Sequence, residues 1–182
     1  MKIIEIGEKE YMMPESWGDV SVAKFEKLAK HNSLLNTYKS ETLFTLEMFS
    51  LILDAPLDDI KRLDRESFTI LASELSWLNS DMDWTGKKEY EIDGENYVCL
   101  DNLNKLSMGD SISLELMVGQ SSPENILSNI LPVLIRKVKK VNKNGKEIMK
   151  LEDFDAERFE EIKSLYSEKL MVADVIRVKD FF

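Results

Sequence analysis

Glu89-Tyr90-Glu91-Ile92-Asp93-Gly94-Glu95-Asn96-Tyr97-Val98-Cys99-Leu100 is the stretch on which the fold turns. Its side chains alternate on both sides of Asp93-Gly94. Asp-Gly between alternating residues signals a two-residue hairpin, because the turns that match strand twist need backbone at positive φ. Helical spacing dominates upstream. The expected fold is therefore α+β and mainly helical: a helical N-terminal lobe, a central β-hairpin and a helical C-terminal part. Residues 1–182 read as one α+β domain, with sub-lobes at 20–80 and 87–182.

Toward the N-terminus, Glu41-Leu53 carries Leu43, Phe44, Leu46, Phe49, Ile52 and Leu53, a stripe wide enough for a buried helix. Pro56 ends it and suits the first turn of a short helix with Leu57, Ile60 and Leu63. Asp64 caps a helix with Phe68, Leu71, Leu75 and Leu78 on one face, and Ser21 caps another with Val22, Phe25, Leu28 and Ala29. That first helix should end near His31 or Asn32. Lys2–Ile6 reads as a short strand paired to something later in the chain, and residues 8–20 as an irregular lead-in.

On the C-terminal side, Ser111–Val118 is compatible with a strand or a helix start. Pro123 opens a helix through Ile126, Leu127, Ile130 and Leu131, with Pro132 expected to kink or restart it. Asn144-Gly145 between Val138–Lys143 and Lys146–Met149 signals a second hairpin. Asp155 caps a helix carrying Phe159, Ile162, Leu165 and Tyr166. A last segment covers Val172–Phe182.

The chain has 182 residues, 43% hydrophobic and 32% charged, a globular balance. Its net charge of −10 repels phosphates and anionic headgroups at long range, so neither direct nucleic-acid binding nor a membrane partner is expected. No run approaches the roughly 20 apolar residues of a bilayer span, and the N-terminus lacks a secretory apolar region. Cys99 is the one cysteine, which excludes an internal disulfide and favours a reducing compartment.

Catalytic patterns are missing. His31 is the one histidine, so local spacing builds neither a zinc site nor a histidine-activated nucleophile. It reads as a surface or helix-end residue, and Cys99 as a small core residue. Gly18, Gly86, Gly94, Gly109, Gly119 and Gly145 are too dispersed for a phosphate cradle. Asp81, Asp83, Asp54, Asp58 and Asp59 lack calcium-loop spacing. Trp17, Trp77 and Trp84 resemble packing residues. The expectation is no enzyme, no cofactor and no metal.

Two features are candidate partner contacts. Arg136, Lys137, Lys139, Lys140, Lys143 and Lys146 concentrate positive charge on an acidic chain. They form either a solvated hairpin after a helix C-terminus or a contact for an acidic partner, another copy of the chain included. Phe181-Phe182 is an aromatic pair that either folds into the core or anchors in a partner pocket.

Several segments, in order, resemble small tailed-phage morphogenesis proteins. They are Pro14-Glu15-Ser16-Trp17-Gly18-Asp19-Val20-Ser21, the Ile92–Tyr97 hairpin, Leu103–Asp110 leading to Leu114-Glu115-Leu116, Ile130–Ile135, and Val172–Ile176 running to Phe181-Phe182. The resemblance implies a virion or assembly protein of a Bacteroidetes phage such as the crAss-like group: a tail assembly chaperone, or a neck, tail or packaged cargo protein. Its partners would be other virion or assembly proteins, or a homo-oligomer, in the virion or the host cytoplasm. The resemblance carries no catalytic residue. The competing reading is a small acidic intracellular regulatory or inhibitor module that binds a host protein, motivated by the net charge.

Overall fold

The computed structural model describes residues 1–80, 86–100, 104, 106–143 and 146–175. Phe181, Phe182, Trp84, Asp81, Asp83 and the Asn144-Gly145 turn lie outside the described residues. The fold is α+β and mainly helical, with an antiparallel two-stranded sheet and an antiparallel four-stranded sheet. It divides into two compact units, Met1–Asp83 with Met171–Ala173, and Trp84–Leu170 with Asp174–Phe182.

The first unit opens with β1 (Lys2–Ile6) and β2 (Lys9–Met13), paired so that Ile6 faces Lys9 and Lys2 faces Met13. The strand partner of Lys2–Ile6 is thus its immediate neighbour, and residues 9–13 are not the irregular lead-in expected from sequence. The turn needs Gly7 at φ +66, where a side chain would be strained. Alternation places Ile6 and Met13 in the core and leaves Ile3 and Met12 outside.

Ser21 then caps α1 (Val22–Ser33), its hydroxyl accepting from the Lys24 N–H. Ser40 caps α2 (Glu41–Leu53), which buries Phe44, Phe49, Ile52 and Leu53. Asp54 ends α2 in the left-handed region, Pro56 precedes the short α3 (Leu57–Ile60), and Asp64 caps α4 (Arg65–Glu74) by accepting from the Ser67 N–H at 2.7 Å. Val20, Val22, Ile52 and Ile60 are fully enclosed. Each such side chain contributes about 1.5–3 kcal/mol by leaving water. Met171 bridges to Ser21, and the Val172 N–H donates to the Val20 carbonyl at 2.8 Å, which adds residues 171–173 to this unit.

The second unit is built on the strand order β3-β4-β5-β6. β3 (Glu89–Ile92) and β4 (Glu95–Cys99) form the Asp93-Gly94 hairpin, with both turn residues at positive φ, 51 and 79. Ser107 and Asp110 cap α5 (Met108–Gln120) reciprocally, which makes residues 111–118 a helix and not a strand. α6 (Ile126–Leu134) runs through Pro132 and passes directly into β5 (Ile135–Lys143). β5 pairs with β4 through Ile135–Lys137 and with β6 (Lys146–Leu151) from Val138 onward, so the β5–β6 hairpin projects past β4 as an arm. Asp155 accepts from the Glu157 and Arg158 N–H groups, and α7 (Phe159–Lys169) begins one turn later than its sequence signal. α8 (Val172–Val175) is shared between the units, its first two residues belonging to the first. Leu131, Val133, Leu134, Ile135 and Tyr166 fill this unit's core.

Candidate functional site

Asp59 is the centre of a polar cluster in the first unit. α3 presents this nearly buried carboxylate to β2, where its Oδ2 accepts from Lys9 Nζ at 2.7 Å and from the Tyr11 hydroxyl at 2.6 Å. Arg62 stands 3.7 Å from its Oδ1. The bond from Lys9, then that from Tyr11, holds the Asp59 carboxyl below its ordinary value of 3.8. The same bonds hold Lys9 and Tyr11 above theirs. A carboxylate of lowered basicity, a firmly protonated ammonium and a firmly protonated phenol make a poor general base and poor nucleophiles. The cluster is a tether between β2 and α3. It borders a cleft of about 420 Å³ whose rim mixes Glu5, Glu8, Arg62 and Ser67.

His31 is buried in the last turn of α1, which corrects the surface half of its expected placement. Its ring stacks on Phe44 at 4.3 Å, and Nε2 hydrogen-bonds to the Phe44 carbonyl at 3.0 Å. Glu47 lies 4.0 Å from Nδ1. Those partners come from α2, so nothing near His31 in sequence reveals them. Cys99 is buried in β4, as its alternation predicts. Among the described residues, no group of three or more His, Cys, Asp and Glu side chains is placed to hold a metal ion. Among them also, no helix is long and apolar enough to cross a membrane.

The basic segment is dispersed by its own secondary structure. Arg136 is only 5% exposed, and its Nη2 donates to Asp110 Oδ1 at 2.8 Å while Nη1 reaches the Pro132 carbonyl at 3.3 Å. The guanidinium also covers the Phe154 ring at 5.3 Å. Burial lowers its pKa and Asp110 opposes that effect, but an arginine stays charged. Arg136 therefore locks α5 to the start of β5, and its surface available to a partner is small. Lys137 pairs with Glu95 at 3.0 Å, and Lys139 with Glu152 at 2.7 Å. Lys140 is exposed on the arm. Between the arm and residues 152–158 lies a groove of about 570 Å³ whose lining sets Lys139, Lys150 and Arg158 among Glu152, Asp153, Asp155 and Glu157.

Two exposed apolar surfaces escaped the sequence reading. On α5, Met108, Ile112 and Leu116 are 78%, 53% and 54% exposed, while Leu114 faces the core. Their spacing of four residues puts them on one helix face, a signal visible once Ser107-x-x-Asp110 is recognised as a capping box. On β1–β2, Ile3 and Met12 stand opposite each other on the outer face. No family model, no curated protein and no solved structure matches the chain.

Proposed function

We propose that this chain is a non-enzymatic bacteriophage structural or assembly protein that acts through contacts with other proteins. Its place would be the neck, tail or packaged cargo of a virion, or the assembly pathway as a tail chaperone. The observation that carries the contact-making part is the α5 stripe. A well-capped helix that buries Leu114 on one side holds Met108, Ile112 and Leu116 toward solvent on another. Apolar side chains aligned on a rigid element mark a surface for a partner, and covering each contributes about 1–2 kcal/mol. The phage part rests on the ordered sequence resemblance, one segment of which, Leu103–Asp110 with Leu114–Leu116, contains Met108 and Leu116 of this stripe.

Mass spectrometry of purified phage particles, combined with cross-linking, tests the proposal. The expected result is a fixed copy number and cross-links from the α5 region to another virion subunit. Presence in infected cells and assembly intermediates, but not in particles, selects the chaperone role. Absence from both overturns the proposal. The charge of −10 keeps a second reading alive, an inhibitor of a host nucleic-acid enzyme; competition between this chain and DNA for a host protein would favour it.

A further inference from the structure

The first sheet has two strands, so one edge of β1 has no strand beside it among the described residues. A two-residue turn makes Ile6 and Lys9 a hydrogen-bonded pair, and antiparallel alternation makes Ile4–Tyr11 and Lys2–Met13 the next such pairs. The N–H and C=O groups of Ile3 and Glu5 therefore point away from β2, toward the open edge. Such an edge is a template for a strand of another chain. α4 supplies a second wall beside it. Ile4 and Ile6 share with Leu63, Ile70 and Leu71 an apolar groove of about 200 Å³, where Lys2 Nζ also meets Glu74 at 2.9 Å. Ile70 is 57% exposed in that wall.

The same hairpin is short of positive charge. Glu5 stands directly opposite Glu10 on its outer face, and Glu8 lies in its turn. None of the three has an ion-pair partner among the described residues; Lys2 is held by Glu74, and Lys9 by Asp59 at 2.7 Å. Arg62, which borders the cleft that Glu5 and Glu8 line, stands 3.7 Å from Asp59. Like charges directly opposite each other weaken a hairpin, and a cation on the neighbouring strand offsets them. Groove and outer face together fit a strand with apolar residues on one side and basic residues on the other. Ile176-Arg177-Val178-Lys179-Asp180-Phe181-Phe182, outside the described residues, has that alternation, and its two cations outweigh Asp180. Laid beside β1, such a strand turns Ile176 and Val178 to the groove and Arg177 and Lys179 to the side of Glu5 and Glu10.

We infer that copies of this chain associate by strand addition, residues 176–182 of one copy lying along the open edge of β1 in the next. That segment is the occupant because one stretch joins apolar residues for the groove, cations for Glu5 and Glu10, and backbone groups for the edge. Edge and segment are different surfaces, so the contact is heterologous and propagates, closing into a ring or extending as a filament. The inference rests on the reading that the chain acts through protein contacts. Its test uses the purified chain alone, so its failure is distinguishable from failure to find the chain in particles.

The test is sedimentation velocity of the full chain across a concentration series. The wild type should self-associate, and an excess of a synthetic peptide of residues 176–182 should return it to monomer. Ile3→Pro removes one outward N–H while leaving the bonds to β2, and should weaken association about tenfold. Ile70→Ser in the groove, and separately Arg177→Glu with Lys179→Glu, should weaken it by about the same factor. Glu5→Lys with Glu10→Lys should weaken it too. An equimolar mixture of the two charge-reversed variants should recover it, since the acidic segment of one meets the basic edge of the other. Circular dichroism verifies that each variant is folded, and Glu5→Gln with Glu10→Gln provides a milder substitute for one that is not. A wild type that stays monomeric, a peptide that leaves association intact, variants that associate like the wild type, or a mixture that fails to recover association each overturns the inference.

Discussion

The β3–β4 and β5–β6 hairpins belong to one four-stranded sheet, yet their surroundings differ. In β3–β4, Tyr90, Ile92, Tyr97 and Cys99 are all buried, and Tyr97 meets Tyr166 of α7 edge-on at 5.6 Å. In β5–β6, Val141 and Ile148 are more than a third exposed, and Met149 is 61% exposed. Both segments carry a favourable two-residue turn signal in sequence, Asp93-Gly94 in one and Asn144-Gly145 in the other. β4 is flanked by β3 and β5, whereas β5 keeps β4 only through Lys137. The difference teaches that turn chemistry decides whether a hairpin forms, while long-range cover decides whether it becomes core or surface.

The sharpest way to break this comparison is truncation within the covered hairpin. Tyr97→Ala should cost about 3–5 kcal/mol in urea unfolding, because it leaves a cavity under Tyr166. A loss below about 1 kcal/mol would mean that β3–β4 is no better supported than the arm.

Arg136 sits where β5 passes from one regime to the other, and its removal should rank second. Arg136→Ala strands the partly buried Asp110 and should cost about 2–3 kcal/mol by the same measurement. Arg136→Met together with Asp110→Asn should recover most of that loss, since it removes both charges and keeps the volume. If the double variant is as unstable as the single one, the ion pair itself and not the stranded carboxylate holds α5 to β5.

A smaller effect belongs to the turn. Gly94→Ala places a side chain at φ +79 with nothing crowding it, so the cost is backbone strain alone, about 1 kcal/mol. Thermal unfolding measures it as a drop of a few degrees. No drop would show that the covered strands, and not the turn, set this hairpin's register.

The same division between local and long-range terms governs what the sequence reveals. Ser21, Asp64 and Asp93-Gly94 are read correctly because a cap or turn is decided by a few neighbouring residues. Lys9–Met13 is missed as a strand because its outer face carries Glu10 and Met12, and its Gly7-Glu8 turn lacks the Asn-Gly or Asp-Gly signature. His31 and Arg136 look like surface residues in sequence. Their burial depends on Phe44 and Asp110, contributed by α2 and α5, whose placement no local pattern specifies. The α5 stripe is spaced legibly, but a sequence does not say which apolar face of a helix is left uncovered.

The smallest expected change in stability is the most informative about function. Ile148→Ser exchanges a half-exposed side chain on the arm for a polar one, so unfolding should move by no more than about 0.5 kcal/mol. If the arm is merely a solvated hairpin, nothing else should change. If it is a docking face, the same variant should weaken association with the partner, read as fewer cross-links from the arm, while the losses from Tyr97→Ala and Gly94→Ala keep their order. Retained association with lost stability would reverse the comparison, making Ile148 a packing residue of the arm. A variant that unfolds like the wild type yet associates less separates surface retained for a partner from surface that the fold simply could not cover.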